Sequence, residues 1–221
     1  MNVSARLSGI ADRLRDTAAF GLRFAKGSHE QERFRAVQDM AIELFALATD
    51  SAVEAFEPIR RSVLSRPTPF VAGDAAIIDD AGRILLIQRT DNHKWAMPGG
   101  ALEVGETAAS GVEREALEET GVCCRATALV GIHDSRLCGT PTPFQLYHLL
   151  FLCQPTDDTT IGNGSHRHEV LDVRWFERAE LTTVDLDPGH AARIPEAYRV
   201  WSDGGPAYFD RSAAAGGPTP A

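Results

Sequence analysis

The stretch Gly100–Val122, GALEVGETAASGVEREALEETGV, constrains the chain more than any other, because four of its glutamates recur at spacings that make joint sense around a cation. Glu115, Glu118 and Glu119 stand at i, i+3 and i+4. If Thr107 caps a helix running to about Thr120, those three carboxylates share one face, where like charges repel unless a metal lies between them. Ala109, Val112, Ala116 and Thr120 fall on a neighbouring face of the same helix, which supplies a surface for packing on a core. Pro98, Gly99 and Gly100 precede the helix as a turn whose backbone carbonyl can approach the carboxylates, since glycine has no side chain in the way. Gly121 reads as the C-cap. The competing reading of any acidic helix is a solvated face. Against it, the pattern fixes seven identities, from Gly100 through Glu106, Arg114, Glu115, Glu118 and Glu119 to Gly121, a coincidence on the order of one in a million at average residue usage.

Those seven residues, with aliphatic Ala116 and Val122, resemble a complete Nudix box, and no position departs from it. The resemblance implies a Mg2+- or Mn2+-dependent hydrolase that cuts the diphosphate linkage of a nucleoside diphosphate joined to another group X, giving a nucleoside monophosphate and phosphorylated X. By box position, Glu115 and Glu119 are direct metal ligands and Glu118 is either a ligand or a group that orients one. A backbone carbonyl at Gly99 or Gly100 is a further candidate ligand. Arg114 is expected to point away from the metals and to orient Glu106 or a box carboxylate through a salt bridge, leaving Glu106 a supporting role. Glu118 and Glu119 are counted with the catalytic residues. A general base is still needed and the sequence does not single it out; Glu169 is the candidate outside the box, against a reading as the charged start of a strand. His166 and His168 could donate to a phosphate or be solvated. Arg89 and Arg136 are candidate substrate contacts, and Tyr147 and Phe144 fit a pocket wall or a strand core equally well.

The net charge of −9 argues against nucleic acid as a partner and leaves an anionic diphosphate dependent on bound cations and a few placed arginines. No run of about 18 apolar residues exists to span a membrane, and the charged amphipathic N-terminus lacks the pattern of a signal peptide, so the cytosol is the expected compartment. Cys123, Cys124, Cys138 and Cys153 form no C-x-x-C pair and read as reduced core or strand residues.

Along the chain, Val3, Leu7, Ile10, Leu14 and Ala18 recur with a helical period. A second helix is expected from His29 to Thr49 with Phe34, Val37, Ala41, Leu44 and Leu47 or Ala48 inward. A third carries Val53, Phe56, Ile59 and Val63, with Pro58 either kinking it or marking its start. These helices cannot hide their apolar stripes alone. The segment GLRFAKGSHEQERFRAVQDMAIELF also resembles the N-terminal helical extension of a Nudix subgroup acting on X-linked nucleoside diphosphates of ADP-ribose and CDP-choline type, which implies a homodimer and a substrate site walled by the helices. A mere stabilising cap is the alternative. After a linker at 65–69, strands are expected at 70–78 and 83–88, paired as a hairpin around Asp79-Asp80-Ala81-Gly82, then at 126–132, 144–153 and 170–176. The stretches 133–143 and 159–168 read as loops, Trp95 as a wall of the fold, and helices are expected from Ala179 and around 194–201. The whole is an α/β protein: an α/β/α sandwich with a mixed sheet at residues 67–202, a small helical N-terminal domain at 1–66, and a disordered tail at 203–221.

Two other activities compete with the leading one. The box alone admits removal of pyrophosphate from a nucleoside triphosphate, and a Nudix fold can act as an ADP-ribose sensor without turnover.

Overall fold

A computed structural model describes residues 3–60, 64, 69–140, 146–156, 161–162, 164–165 and 169–211. The chain forms two compact units, residues 1–68 with 103–106 and residues 69–102 with 107–221.

In the first unit, α1 (Val3–Phe24) and α2 (Ser28–Thr49) are joined through Gly27, with Asp50 closing α2 in a left-handed conformation. Ala11 and Ala18 of α1 are fully buried, and at Gly21 a Cβ would lie 2.2 Å from the Phe34 ring, so the glycine admits that ring between the helices. The buried face of α2 is Gln38, Ala41, Ile42 and Ala46, whereas Leu47 is 69% exposed, so the stripe is rotated from the expected one. Small residues let two helices approach closely, and that contact, not the largest side chains, sets the inner face. The third helix is broken into a 3-10 turn at Val53–Phe56 and a short α3 (Glu57–Ile59) whose first turn holds Pro58, which therefore marks a start. Arg60 ties it to α2 through Asp39 at 2.5 Å while also pairing with Glu57 at 2.7 Å. Val63 and most of the linker lie outside the described residues.

The second unit contains β1 (Phe70–Ile77), β2 (Ile84–Arg89), β3 (Trp95–Ala96), β4 (Gly99–Ala101), α4 (Ala108–Thr120), β5 (Cys124–Asp134), α5 (Ser135–Cys138), β6 (Leu146–Pro155), β7 (Val170–Phe176), α6 (Pro188–Asp203) and β8 (Tyr208–Phe209). A five-stranded mixed sheet runs β4-β1-β6-β5-β8, with β1 parallel to β6, and a three-stranded antiparallel sheet runs β3-β2-β7. Both faces of β1 are covered. Ala75 and Ile77 pack with Val112 and Ala116 of α4, while Ala76 and Ile78 pack with Ile194, Ala197 and Tyr198 of α6. This is why its sequence, GDAAII, shows no polar alternation. Helix, sheets and helix thus form the expected sandwich.

Several expectations need correction. The turn at 79–82 is present, with Asp79 accepting from the Ala81 and Arg83 amides at 3.1 and 2.8 Å, but β1 and β2 do not form a hairpin ladder. They touch at one bridge, Ile78 to Ile84, and then enter different sheets. Turn chemistry fixes where the chain reverses; pairing follows burial, and β1 gains an eight-residue ladder with β6. The presumed loop from His133 begins as the end of β5, followed by α5, whose Asp134 cap accepts from Arg136 N at 3.0 Å. The last helix starts at Pro188, earlier than its apolar period indicated, because Asp187 caps it and Pro188 occupies its first turn. At 208–209 the tail is β8, paired to β5, and Tyr208 stacks on His133 with centroids 4.7 Å apart. Residues 212–221 lie outside the described residues. Cys123 is exposed and Cys124, Cys138 and Cys153 are buried, all as free thiols. No described helix is long and apolar enough to cross a membrane.

Candidate active site

Helix α4 is held at both ends by its own residues. Thr107 Oγ accepts from Ser110 N at 3.1 Å, Ser110 Oγ accepts from Thr107 N at 3.0 Å, and Gly121 closes the other end at φ +71° with its N–H on Leu117 O at 2.8 Å. Val112, Ala116 and Thr120 are fully buried. That anchoring carries Glu115 and Glu119 inward until only 9% and 8% of each is exposed, while Glu118 is half-buried.

The glycine turn lies opposite. Its strand β4 pairs with β1, Gly99 facing Asp74 and Gly100 facing Gly73, and Ala75 N donates to Pro98 O at 2.8 Å. The backbone group seen at the carboxylates is an amide: Gly99 N donates to Glu119 Oε2 at 2.8 Å. A Cβ on Gly100 would fall 2.8 Å from the Glu115 carboxylate, so this glycine leaves the room that the carboxylate fills. Arg114 does not point away from the cluster. Its Nη1 donates to Glu115 Oε1 at 2.9 Å and Glu118 Oε2 at 3.0 Å, and Nη2 to Ala101 O at 3.4 Å. The expected salt bridge to a box carboxylate is thus present, and it spans two glutamates. Glu106 accepts from Glu103 N at 2.7 Å.

Burial pushes the Glu119 carboxyl up to about 8; the Gly99 amide opposes this, and the charges of Glu115 and Glu169 add to it. Glu169 is therefore within electrostatic reach of Glu119 although 50 positions separate them in sequence. Its carbonyl accepts from Thr90 N at 3.0 Å and Thr90 Oγ at 3.1 Å, which fixes the start of β7 beside the end of β2. Gly162 and Gly164 lie against the end of α4: Gly162 N donates to Thr120 O at 3.1 Å, and a Cβ on Gly164 would lie 2.3 Å from Glu118 O. Arg89 pairs with Asp91 at 2.6 Å, and its charge reaches Glu119. Arg136 is held by Asp134 at 2.5 Å with 66% of its side chain exposed, and nothing described links it to the glutamates. Tyr147 is 37% exposed, and Trp95 packs edge-on against Phe176 at 4.7 Å, as a wall. Phe144, His166 and His168 lie outside the described residues. Among the described residues no three His, Cys, Asp or Glu side chains converge tightly enough to enclose an ion as they stand, with Arg114 between two of the glutamates.

Behind the turn lies a buried polar group that sequence reasoning missed: Asp74, His148, His190 and Arg193. Its one signal was an aspartate inside an otherwise apolar strand.

Residues 68–198 match the family model described as the NUDIX domain, and residues 6–59 match a model described as a UDP-X-like, N-terminal oligomerisation domain. The protein named "Putative ADP-ribose pyrophosphatase YjhB" of Bacillus subtilis is 28% identical over 172 residues, 77% of this chain and 80% of that one. A MutT-like protein of Streptomyces ambofaciens is 36% identical over 118 residues, 53% of this chain and 70% of that one. A crystal structure of a UDP-X diphosphatase superposes with a TM-score of 0.58 at 21% identity over 94% of this chain and 99% of the other, a likeness of fold. With a box lacking none of its residues on a capped helix facing a glycine turn, the chain belongs to the Nudix family and is a hydrolase.

Proposed function

We propose that the protein hydrolyses the diphosphate bond of a nucleoside diphosphate linked to X, with ADP-ribose the first candidate and CDP-choline-like compounds the second. The observation that carries this is the buried Glu115–Glu119 pair: burial first, and then the charges of Glu115 and Glu169, push the Glu119 carboxyl up to about 8, and a cation would balance its charge. The donor set is all oxygen on a rigid helix, which suits Mg2+ or Mn2+. Glu115, Glu119 and Glu118, with the Gly100 carbonyl, would hold the ion, which when bound neutralises the diphosphate and activates water. Arg114 sets the carboxylates of Glu115 and Glu118, and would give ground as they turn to the ion. Gly99 N–H fixes one oxygen of Glu119 and leaves the other to coordinate. Glu169 takes the proton from the attacking water, and Arg89, beside Glu119, meets the diphosphate; Arg136 has no such support. The relative and the solved structure that cover most of this chain bear the names ADP-ribose pyrophosphatase and UDP-X diphosphatase, which favours these over triphosphates. The N-terminal helices serve as a homodimer interface, in line with the description of their family model, and the protein works in the cytoplasm on a small nucleotide.

A panel of ADP-ribose, nucleotide sugars, CDP-choline and nucleoside triphosphates, assayed with Mg2+ and with Mn2+, is expected to show turnover of ADP-ribose to AMP and ribose phosphate. Pyrophosphate release from triphosphates alone would discard the proposal, and binding without turnover would favour a sensor. With the substrate in hand, Glu169→Gln is expected to lower kcat about 100-fold with little change in KM, in the range of a lost general base. Gly164→Ala, whose Cβ would lie 2.3 Å from Glu118 O and 2.8 Å from Glu119 O, is expected to lower kcat about tenfold by shifting the end of α4 that carries the glutamates. Equal kcat in Glu169→Gln and the parent would remove Glu169 from the reaction.

A further inference from the structure

Arg193 is fully buried, and so is nearly all of Asp74, 119 positions away, to which its Nη1 donates. Burying an ion pair rarely adds stability over apolar residues of similar volume, so its presence calls for another reason. The surroundings supply one. Asp74 stands opposite Gly99 in the β1–β4 ladder, and a Cβ on Gly99 would be 2.8 Å from Asp74 Cα. Its Oδ2 also meets His148 Nδ1 at 3.1 Å, and His148 Nε2 meets Thr140 Oγ at 3.2 Å. From α6, Arg193 Nε donates to Gly189 O at 2.9 Å, and one turn earlier His190 Nδ1 accepts from Met97 N at 3.2 Å. Burial and the Arg193 charge both hold that imidazole neutral, as an accepting Nδ1 requires. Helix α6 therefore grips the residues before the glycine turn at two points: Met97 through His190, and the strand under Gly99 through Arg193 and Asp74. Two nitrogens here, Arg193 Nη2 and His133 Nε2, have no hydrogen-bond partner among the described residues.

We propose that Arg193 is a positioning residue for hydrolysis: with Asp74 and His190 it locks Met97–Gly100 on β1, and so sets where the Gly99 amide and the Gly100 backbone meet Glu119 and Glu115. The inference rests on the reading of those glutamates as metal ligands. It gives α6 a part in the active site through the glycine turn.

The test uses the full chain, metal-free and then with Mn2+ alone. Asp74→Asn/Arg193→Met removes both charges together and is expected to unfold near the temperature of the parent. Hydrogen exchange at 97–101 is expected to quicken about tenfold, with β7 unchanged as the internal reference, and Mn2+ affinity followed by electron paramagnetic resonance to weaken about tenfold, as for groups that orient ligands. A folded double variant with the exchange and Mn2+ affinity of the parent would overturn the proposal. If the double variant does not fold, Arg193→Lys decides, since a lysine keeps the charge but lacks the planar fork that braces Gly189 O and Asp74 from two separate nitrogens: faster exchange confined to 97–101 supports the proposal and unchanged exchange overturns it. Glu119→Gln is measured alongside. If it binds Mn2+ as the parent does, the metal reading falls, while local exchange in the double variant still judges the positioning role by itself.

Discussion

Glu119→Gln is expected to lower kcat about 1,000-fold, the effect of losing about 4 kcal/mol of charge stabilisation at a metal site, and at the same time to make the metal-free protein more stable. The two effects have one cause. Glutamine keeps the size of the side chain and an oxygen for the Gly99 amide, but it removes a negative charge that burial, Glu115 and Glu169 all oppose. The sign of the pH dependence follows from the direction of that shift. The folded-state pKa, about 8, lies above the reference value of 4.5, so between these values the folded protein binds more protons than the unfolded one. Stability from this group is full below about 4.5 and is lost as pH rises through about 8. The variant has no such loss. In the presence of chelator its Tm should match that of the parent near pH 4.5 and exceed it by about 5 °C near pH 9, a size set by a couple of kcal/mol in a chain of this length. Added Mg2+ should raise the Tm of the parent and leave the variant nearly unmoved. Thermal unfolding across pH, with chelator and with Mg2+, checks this. A fully active variant would show that Glu119 does not carry the metal, and one no more stable than the parent at high pH would show that it does not carry the strain.

The part of this site that was legible in the sequence is the part whose contacts are local. Thr107, Ser110 and Gly121 cap α4 through neighbours one turn away, and the 3.6-residue period placed Val112, Ala116 and the glutamates on their faces. The turn at 79–82 was legible for the same reason. What could not be read depends on contacts distant in sequence. The separation of β1 and β2 into two sheets is decided by β6 and β7, and the apolar run of β1 is the same for either pairing. Arg193 and Asp74 meet only once α6 is folded over the sheet, and a charged residue in a helix otherwise reads as surface. The salt bridge of Arg114 to box carboxylates was legible, but not its direction, because helical spacing does not decide which way a long side chain bends. The period of Val170–Phe176 marks a strand, but the approach of Glu169 to Glu119 is a contact 50 positions apart that no local pattern encodes.

The two glycines of the turn should part company when each is changed to alanine. At Gly99 the new Cβ would lie 2.3 Å from Gly73 O and 2.8 Å from Asp74 Cα, both backbone atoms of a central strand that cannot withdraw. Gly99→Ala must therefore open the β1–β4 ladder, at a cost of about 3 kcal/mol or more, and lower Tm by roughly 5 to 10 °C. At Gly100 the obstacle is the far end of one side chain, the Glu115 carboxylate at 2.8 Å. That end can move by rotating its torsions, so Gly100→Ala is expected to fold with nearly the parental Tm. The movement has a specific consequence. Glu115 gives up its position beside the turn, and Arg114, which holds both Glu115 and Glu118, is drawn with it. Mn2+ affinity should then fall about 100-fold, the upper end of what is seen when ligands lose their orientation, and activity at limiting metal should fall with it. High metal concentration should recover part of the activity in Gly100→Ala, because the ligand is displaced and not deleted, and Glu115→Gln should show no such recovery. Unfolding temperature and Mn2+ titration measured together on the two alanine variants separate the outcomes. Unchanged Mn2+ affinity in a folded Gly100→Ala would take Glu115 out of the ligand set and leave Glu119, with Glu118 or Glu169, to hold the ion.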